Sequence, residues 1–98
     1  MYAVMTMEDY YALSEEEKRD FRVNEVKKQN GRCLLCDEPF PKRWRAFTTM
    51  PVVDHDHSTG RIRGILHSQC NINLYVIEEH LEDGWIDQAR DFILKNRD

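Results

Sequence analysis

Long apolar runs are absent from this 98-residue chain, and none approaches the roughly 20 residues that a membrane-spanning helix needs. The opening stretch, MYAVMTMEDYY, lacks both the basic and the apolar segment of a secretory signal. Internal repeats, linkers and low-complexity segments are also missing. These absences argue against membrane, secreted and repeat proteins, and we expect one cytoplasmic domain spanning residues 1–98.

Cysteine is scarce as well. The chain has three cysteines, an odd number that cannot close into a complete set of disulfides. In a reducing compartment, thiols at short spacing are more often metal ligands. A core of this size supplies only about 3–5 kcal/mol, so a bound metal ion would add useful stability.

An excess of positive charge is the third absence, because the formal net charge is −4. The charge is unevenly distributed, however. Residues 32–71 carry six Lys/Arg against four Asp/Glu, whereas residues 1–31 and 72–98 have net charges of −2 and −4. An acidic total weakens non-specific DNA affinity but does not exclude local contacts with phosphate. The basic residues therefore gather in the middle of the chain.

Two pairs of candidate metal ligands share a two-residue gap, namely Cys33/Cys36 and His67/Cys70. Structural zinc takes four ligands in a tetrahedron, and pairs at this spacing can reach one ion from a tight turn. Together they predict a closed Cys₃His site with no open coordination position. Two alternatives remain: His57 could replace His67, and the cysteines could be buried core thiols.

Between these pairs, residues 51–67 predict a β-hairpin that leads into a helix. Val52 and Val53 are β-branched, residues 58–60 (Ser-Thr-Gly) suit a turn, and residues 62–66 contain a second apolar run. The hairpin and the start of the helix would form a zinc-stapled core in residues 32–82.

Helices are predicted on both sides of the core. Residues 1–13 show no clear period and are expected to be irregular. Ser14 and Glu17 form a capping-box pattern for a helix to about Gln29, within a lead-in segment at 11–31.

Two further helices should follow the hairpin, one from the N-cap Ser68 to about Glu82 and one over about Trp85 to Lys95, within a C-terminal segment at 85–96. Their apolar residues recur at helical spacing, so we expect both helices to pack inward. The residues of these two stripes are Leu74, Ile77 and Leu81, then Trp85, Ile86, Ala89, Phe92 and Ile93.

The first strand of the hairpin carries Asp54 and His55, residue types suited to phosphodiester hydrolysis. That reaction needs an activated water and a cation to neutralise charge on the phosphate and on the leaving oxygen. Histidine can accept the proton near neutral pH. Asp54 and Asn71, which follows Cys70, offer oxygen ligands that Mg²⁺ accepts. On a regular strand Asp54 and His55 face opposite sides, so their convergence needs a twist or a bulge.

Other residues near this stretch are candidates for substrate contact. Arg61 and Arg63 lie two apart and would face one side of a strand, where either could hold a phosphate. Residues 42–45, Lys-Arg-Trp-Arg, put an aromatic ring among cations; Arg43, Arg45 and Trp44 suit phosphate and base contact, although Trp44 could equally be core. His57 would be a supporting or substrate group, or simply exposed. Asp56 and His80 are expected at the surface.

Three segments together resemble the phage recombination endonuclease VII family, a branch of the HNH, or ββα-metal, nucleases. They are Cys33-Leu-Leu-Cys36, the stretch DHDHSTGRIRGIL at 54–66, and HSQCN at 67–71. Residues 11–33 are similar to the family's lead-in helix. The resemblance implies an α+β, treble-clef-like ββα-metal domain with a structural zinc, one helix before it and two after.

The resemblance also implies roles for individual residues. His55 would be the general base, Asp54 and Asn71 would bind a catalytic Mg²⁺ or Mn²⁺, and the two cysteine pairs of the family bind zinc. In this chain His67 stands where a cysteine is usual, which still provides a zinc ligand. The family member that resolves branched DNA junctions has a large C-terminal extension, which this sequence lacks. The resemblance therefore supports DNA cleavage more strongly than it supports resolution of branched DNA.

The resulting prediction is a metal-dependent DNA endonuclease, which nicks or cuts both strands as a monomer or homodimer, in the host cytoplasm if phage-encoded. One alternative is a non-catalytic zinc module that binds nucleic acid or protein. Such a module would not need Asp54, His55 and Asn71 together. Another alternative is a toxin-like or RNA-directed nuclease with the same site.

Overall fold

The computed structural model describes residues 5–43 and 46–97. Within these residues the chain has an α+β architecture of four helices and one two-stranded sheet. In chain order the elements are α1 (Met7–Tyr11), α2 (Glu15–Lys28), a 3₁₀ turn (Phe47–Thr49), β1 (Pro51–His55), β2 (Ile62–His67), α3 (Ser68–Glu79) and α4 (Trp85–Lys95). Trp44 and Arg45, predicted to contact DNA, lie outside the described residues.

Two helices, rather than the expected one, precede the hairpin, and each begins with a capping box. The Thr6 hydroxyl accepts from the Asp9 N–H, and the Asp9 carboxylate accepts from the Thr6 N–H. Ser14 and Glu17 repeat this exchange at the start of α2. After α2 the chain turns through Asn30–Gly31, with φ of 58° and 72°. The lead-in helix therefore starts and stops as predicted, but α1 corrects the expectation that residues 1–13 are irregular.

The two strands pair in antiparallel fashion with one irregularity. Asp54 lies opposite Gly64, but the next residue, His55, lies opposite Ile62, which leaves Arg63 as an extra residue on β2. Such a bulge increases local twist and changes the direction of nearby side chains. It falls between Asp54 and His55, where a regular strand would send the two side chains to opposite faces.

A side-chain amide joins α2 to this hairpin. The Gln29 Nε2 donates to the Ile65 carbonyl at 2.9 Å, and the Ile65 N–H donates to Gln29 Oε1 at 2.9 Å. We call this pair of hydrogen bonds between Gln29 and Ile65 the Gln29 clamp. Next to it, Gly64 has a φ of 151°, and a Cβ at that position would overlap the Leu34 side chain. Glycine therefore allows the loop between the first two cysteines to approach β2 closely.

The hydrophobic core is small. Among the described residues, the buried apolar side chains are Tyr10, Cys33, Ile65 and Leu66, and only Cys33 and Ile65 are fully buried. The radius of gyration is 16.0 Å, against roughly 13 Å for an average globular domain of about 100 residues. The molecule is therefore elongated around a core that lies between α1, α2 and the hairpin.

The prediction that both C-terminal helices pack inward was wrong for most of their apolar residues. Leu81 and Phe92 are 67% and 69% exposed, and Ile77, Trp85 and Ile93 are also exposed. Leu74, Ile86 and Ala89 are half-buried. α3 packs on the hairpin and on the 3₁₀ turn, but α4 makes little contact with the other elements. Helical spacing identifies residues that share a face, but it does not show what covers that face.

The boundaries of α3 also differ from the prediction. His67, rather than Ser68, is the N-cap, and the helix ends at Glu79 instead of continuing to Glu82. After its end, the His80 ring stacks on Trp85 at 4.6 Å between centroids and contacts the Asp83 carboxylate at 2.7 Å. This local contact stops the helix early. No helix in the described residues is long and apolar enough to span a lipid bilayer.

Candidate metal centre and acid–histidine site

Four candidate metal ligands meet at the corner between β2 and α3. The side chains of Cys33, Cys36, His67 and Cys70 each place one ligand atom within 4.8 Å of all the others. The Cys36 and Cys70 sulfurs lie 3.3 and 4.0 Å from His67 Nδ1. Zinc bonds of about 2.0–2.3 Å would separate tetrahedral ligands by about 3.5 Å. The donor set and its spacing therefore fit a zinc ion, and His67, not His57, is the histidine of this cluster.

The His67 ring is held in an orientation suited to metal binding. Its Nε2 lies 3.2 Å from the Pro39 carbonyl, which can only accept a hydrogen bond. The proton is thus assigned to Nε2, and the lone pair of Nδ1 faces the cysteines. The Phe40 ring packs against the imidazole at 4.8 Å between centroids. His67 is buried, and both neighbours limit its rotation.

The thiols of this cluster differ in acidity. Burial raises the pKa of Cys33, but hydrogen bonds from the backbone N–H groups of Cys36, His67 and Leu35 outweigh it and lower that pKa to about 7. Burial and the neighbouring thiols raise the pKa of Cys70 to about 12. Crowded sulfurs therefore resist ionising together unless a cation compensates their charge.

The second group of polar residues begins at the bulge. Asp54 is buried, and both of its carboxylate oxygens accept hydrogen bonds from Arg63, at 2.7 Å from Nε and 3.0 Å from Nη2. The remaining terminal nitrogen of Arg63, Nη1, forms an ion pair with Glu78 on α3. The hydrogen bond to Asp54 is the main cause that raises the pKa of Arg63. Arg63, a predicted phosphate ligand, thus bridges two carboxylates.

The histidines of β1 and the following turn form a row that reaches α3. The ring centroids of His55 and His57 are 4.7 Å apart, and the His57 ring meets Tyr75 at 4.9 Å. His57 Nδ1 lies 3.5 Å from Glu78 Oε2. His57 is therefore partly exposed but packed between β1 and α3.

Asp56 is half-buried and stabilises the turn, which corrects the expectation that it is simply exposed. Its Oδ1 accepts from the Ser58 hydroxyl at 2.6 Å and from the backbone N–H groups of Ser58 and Thr59 at 2.8 and 3.1 Å. These bonds, led by the Ser58 hydroxyl, lower the pKa of Asp56 to about 2. The aspartate keeps the chain turning between the two strands.

The remaining site candidates lie around this group. Asn71 is half-buried in the first turn of α3, directly after Cys70. Arg61 is exposed and pairs through its backbone with Thr6, and Arg43 is exposed in the loop before the 3₁₀ turn. Within the described residues, none of Asn71, Arg61 and Arg43 forms a hydrogen bond or ion pair with Asp54 or Arg63.

Glu78 is the site residue that the sequence reasoning missed. It lies seven residues after Asn71, which is two helical turns and hence the same face of α3. That spacing was the available signal. A pocket of about 320 Å³ lies beside Glu78, His57 and Arg63. A second hollow, of about 180 Å³, is lined by Asp54, Arg63 and Leu34 among others, so Arg63 separates the two.

This chain is similar in sequence to known phage proteins. The family model of recombination endonuclease VII matches residues 5–93. The Gene 59 protein of Mycobacterium phage D29 is 37% identical over 67 residues, which cover 68% of this chain and 30% of that protein. The Gene 59 protein of Mycobacterium phage L5 is 44% identical over 43 residues, or 44% of this chain and 23% of that protein. This chain thus matches less than a third of the length of either relative. No solved structure matches it significantly.

Proposed function

We propose, since this chain belongs to the recombination endonuclease VII family, that it is a metal-dependent DNA endonuclease of the HNH, or ββα-metal, type. The observation that carries the proposal is the bulge between Asp54 and His55, in a hairpin placed between the Cys/His cluster and α3. The bulge lies on β2 opposite the step from Asp54 to His55, and the added local twist would, in this proposal, let these two residues serve one phosphate.

In this proposal the cluster of Cys33, Cys36, His67 and Cys70 holds a structural zinc ion. A tetrahedral set of four protein ligands leaves no position for water or substrate, so such an ion stabilises the fold without reacting. The zinc would hold the loop at residues 33–36 against the start of α3. Residues 1–98 would then act as one ββα-metal domain.

Asp54 and Asn71 would hold a Mg²⁺ or Mn²⁺ ion, since carboxylate and amide oxygens are suitable ligands for either ion. When bound, the ion would supply positive charge to the phosphate and to the leaving 3′ oxygen. His55 would accept the proton of the attacking water. Arg61 and Arg43 are exposed cations suited to flanking phosphates, whereas Arg63 is already engaged by two carboxylates.

DNA is the proposed substrate. Branched recombination intermediates are one candidate form of that DNA. The named relatives are phage proteins. A phage-encoded nuclease meets its DNA in the host cytoplasm, which we propose for this chain as well. A monomer and a homodimer are both compatible with the site, because each copy carries all the proposed ligands.

The test is incubation of the zinc-loaded protein with supercoiled plasmid and, separately, with a branched oligonucleotide. Mg²⁺, Mn²⁺ and EDTA are compared for each substrate. We expect nicked or linear plasmid with either divalent ion and none with EDTA. No cleavage of DNA or of a matched RNA in any metal would favour a non-catalytic zinc module. Cleavage of RNA alone would change the substrate class.

A further inference from the structure

We infer that Glu78 is a positioning residue that shares the Arg63 guanidinium with Asp54 and thereby sets how readily Asp54 exchanges this guanidinium for a divalent metal ion. The inference rests on the proposed function, because it takes Asp54 as a metal ligand. It adds a residue that the proposed ligand set does not contain.

The contacts of Arg63 are the first step. Its guanidinium presents donors in one plane and binds two carboxylates at once, Asp54 through Nε and Nη2 and Glu78 through Nη1. The side chains of Asp54 and Glu78 are only 5% and 20% exposed. Oε1 of Glu78 is buried, and it meets Arg63 as an ion pair without an aligned hydrogen bond. Glu78 therefore pairs with the one terminal nitrogen of Arg63 that Asp54 does not use.

Competition for Asp54 is the second step. Because Arg63 engages both Asp54 oxygens, a metal ion that binds there must displace at least one of the two hydrogen bonds. Glu78 shares the single positive charge of Arg63 and so leaves more of the Asp54 negative charge available to a metal ion. Without the Glu78 charge, Arg63 would depend on Asp54 alone and would compete more strongly with the metal ion.

The Glu78 carboxylate has a second neighbour, His57, on its other side. Oε2 lies 3.5 Å from His57 Nδ1, and the His57 ring packs on both His55 and Tyr75. One carboxylate therefore contacts the arginine and the histidine that border the same pocket. The contact with His57 keeps the Glu78 carboxylate close to Arg63 when a metal ion displaces Arg63 from Asp54.

The experiment measures Mn²⁺ binding to zinc-loaded protein by the electron paramagnetic resonance signal of free Mn²⁺. Glu78→Gln removes the charge and keeps the shape, and we expect Mn²⁺ affinity to fall about three- to tenfold. Glu79→Gln is the matched control, since Glu79 is the exposed neighbour on α3 and borders the same pocket. We expect it to change affinity by under about twofold. Equal effects of the two variants would overturn the inference.

A double-mutant cycle tests whether Glu78 acts through Arg63. Arg63→Met removes the competing cation and should strengthen Mn²⁺ binding, whereas Arg63→Lys keeps the charge but cannot bridge two carboxylates. In both backgrounds Glu78→Gln should change affinity by under about twofold. Zinc content and circular dichroism show which background folds. If Glu78→Gln lowers Mn²⁺ affinity in that background as much as in the wild type, Glu78 does not act through Arg63. Mn²⁺ binding that is unchanged by Asp54→Asn would instead overturn the proposed metal site.

Discussion

Arg63 shows that the role of a residue depends on its neighbours in the folded protein. On a strand of basic sequence it looked like a phosphate ligand, and the bulge places it between Asp54 and Glu78 instead. The contact of Arg63 with a DNA phosphate stays a prediction.

His55 is the residue on which cleavage should depend most. We expect His55→Ala to lower the rate of plasmid nicking by at least about a hundredfold, the usual contribution of a general base. The zinc content should not change, because His55 is not part of the Cys/His cluster. His80→Ala is the control, since His80 stacks on Trp85 away from the site. Full nicking by His55→Ala would assign the base to another residue.

Asp56 should stabilise the hairpin through its charge. Asp56→Asn weakens the hydrogen bonds to Ser58 and Thr59, so we expect a lower melting temperature. The pKa of Asp56 is held at about 2, below its usual 3.8. A depressed pKa gives stabilisation that is complete above the unfolded-state value and is lost as the pH falls toward 2. The difference in melting temperature should therefore be the same at pH 6 and pH 8.

Asp87→Asn is the matched control for this substitution, because Asp87 is an exposed aspartate that pairs with Arg90 on α4. We expect it to leave the melting temperature nearly unchanged. If the difference in melting temperature between the wild type and Asp56→Asn changes between pH 6 and pH 8, the assignment of the low pKa to Asp56 is contradicted.

At the scale of elements, the hairpin depends on α2 for its position. The Gln29 amide satisfies both backbone groups of Ile65, one of the most deeply buried residues. If α2 ended one residue earlier, the Gln29 side chain would not reach the backbone groups of Ile65. The capping box at Ser14 and the turn at Asn30–Gly31 therefore fix the length of α2 and, through it, the position of β2.

We expect Gln29→Ala to lower the free energy of unfolding by about 1–2 kcal/mol, because it leaves the Ile65 N–H without a partner and the Ile65 carbonyl with only the 3.4 Å hydrogen bond from the Leu34 N–H. Urea unfolding followed by circular dichroism measures the change. Gln88→Ala, on the surface of α4, should change it by under about 0.5 kcal/mol. Equal values for the two variants would mean that water replaces the clamp at no cost.

Local signals in the sequence predicted the elements and ligands that depend on neighbours along the chain. The capping box of α2 and the two-residue gaps of the ligand pairs are of this kind. The sequence indicated that a bulge could lie near Asp54 and His55, but not that Arg63 would be the extra residue, because that is decided by pairing between the strands. Glu78 was missed because its partners, Arg63 and His57, approach it only after α3 has packed on the hairpin.

The exposure of α3 and α4 has a different origin. The apolar residues of α4 do share one face, as their spacing predicted, but that face meets no other element extensively. Whether a helix face is covered depends on the rest of the molecule, including any copy or segment packed on it. Periodicity carries no information on that point.

The whole molecule has little besides the metal cluster to hold it together. Its fully buried apolar residues are few, and Cys33, itself a proposed zinc ligand, is among them. The cluster joins the 33–36 loop to the start of α3. A small core combined with a four-ligand site is the pattern in which metal binding supplies much of the folding free energy.

We therefore expect removal of zinc by a strong chelator to abolish the cooperative thermal transition and most of the helical circular dichroism signal. Added zinc should restore both, because the ligands are not consumed. Cys70→Ser should behave like the metal-free protein, since it removes one thiolate from the tetrahedron. His67→Cys should keep zinc and the transition, because a thiolate replaces the imidazole as the fourth ligand. A metal-free protein that still melts cooperatively near the zinc-loaded temperature would show that the apolar core suffices, and that the cluster does not hold the fold together.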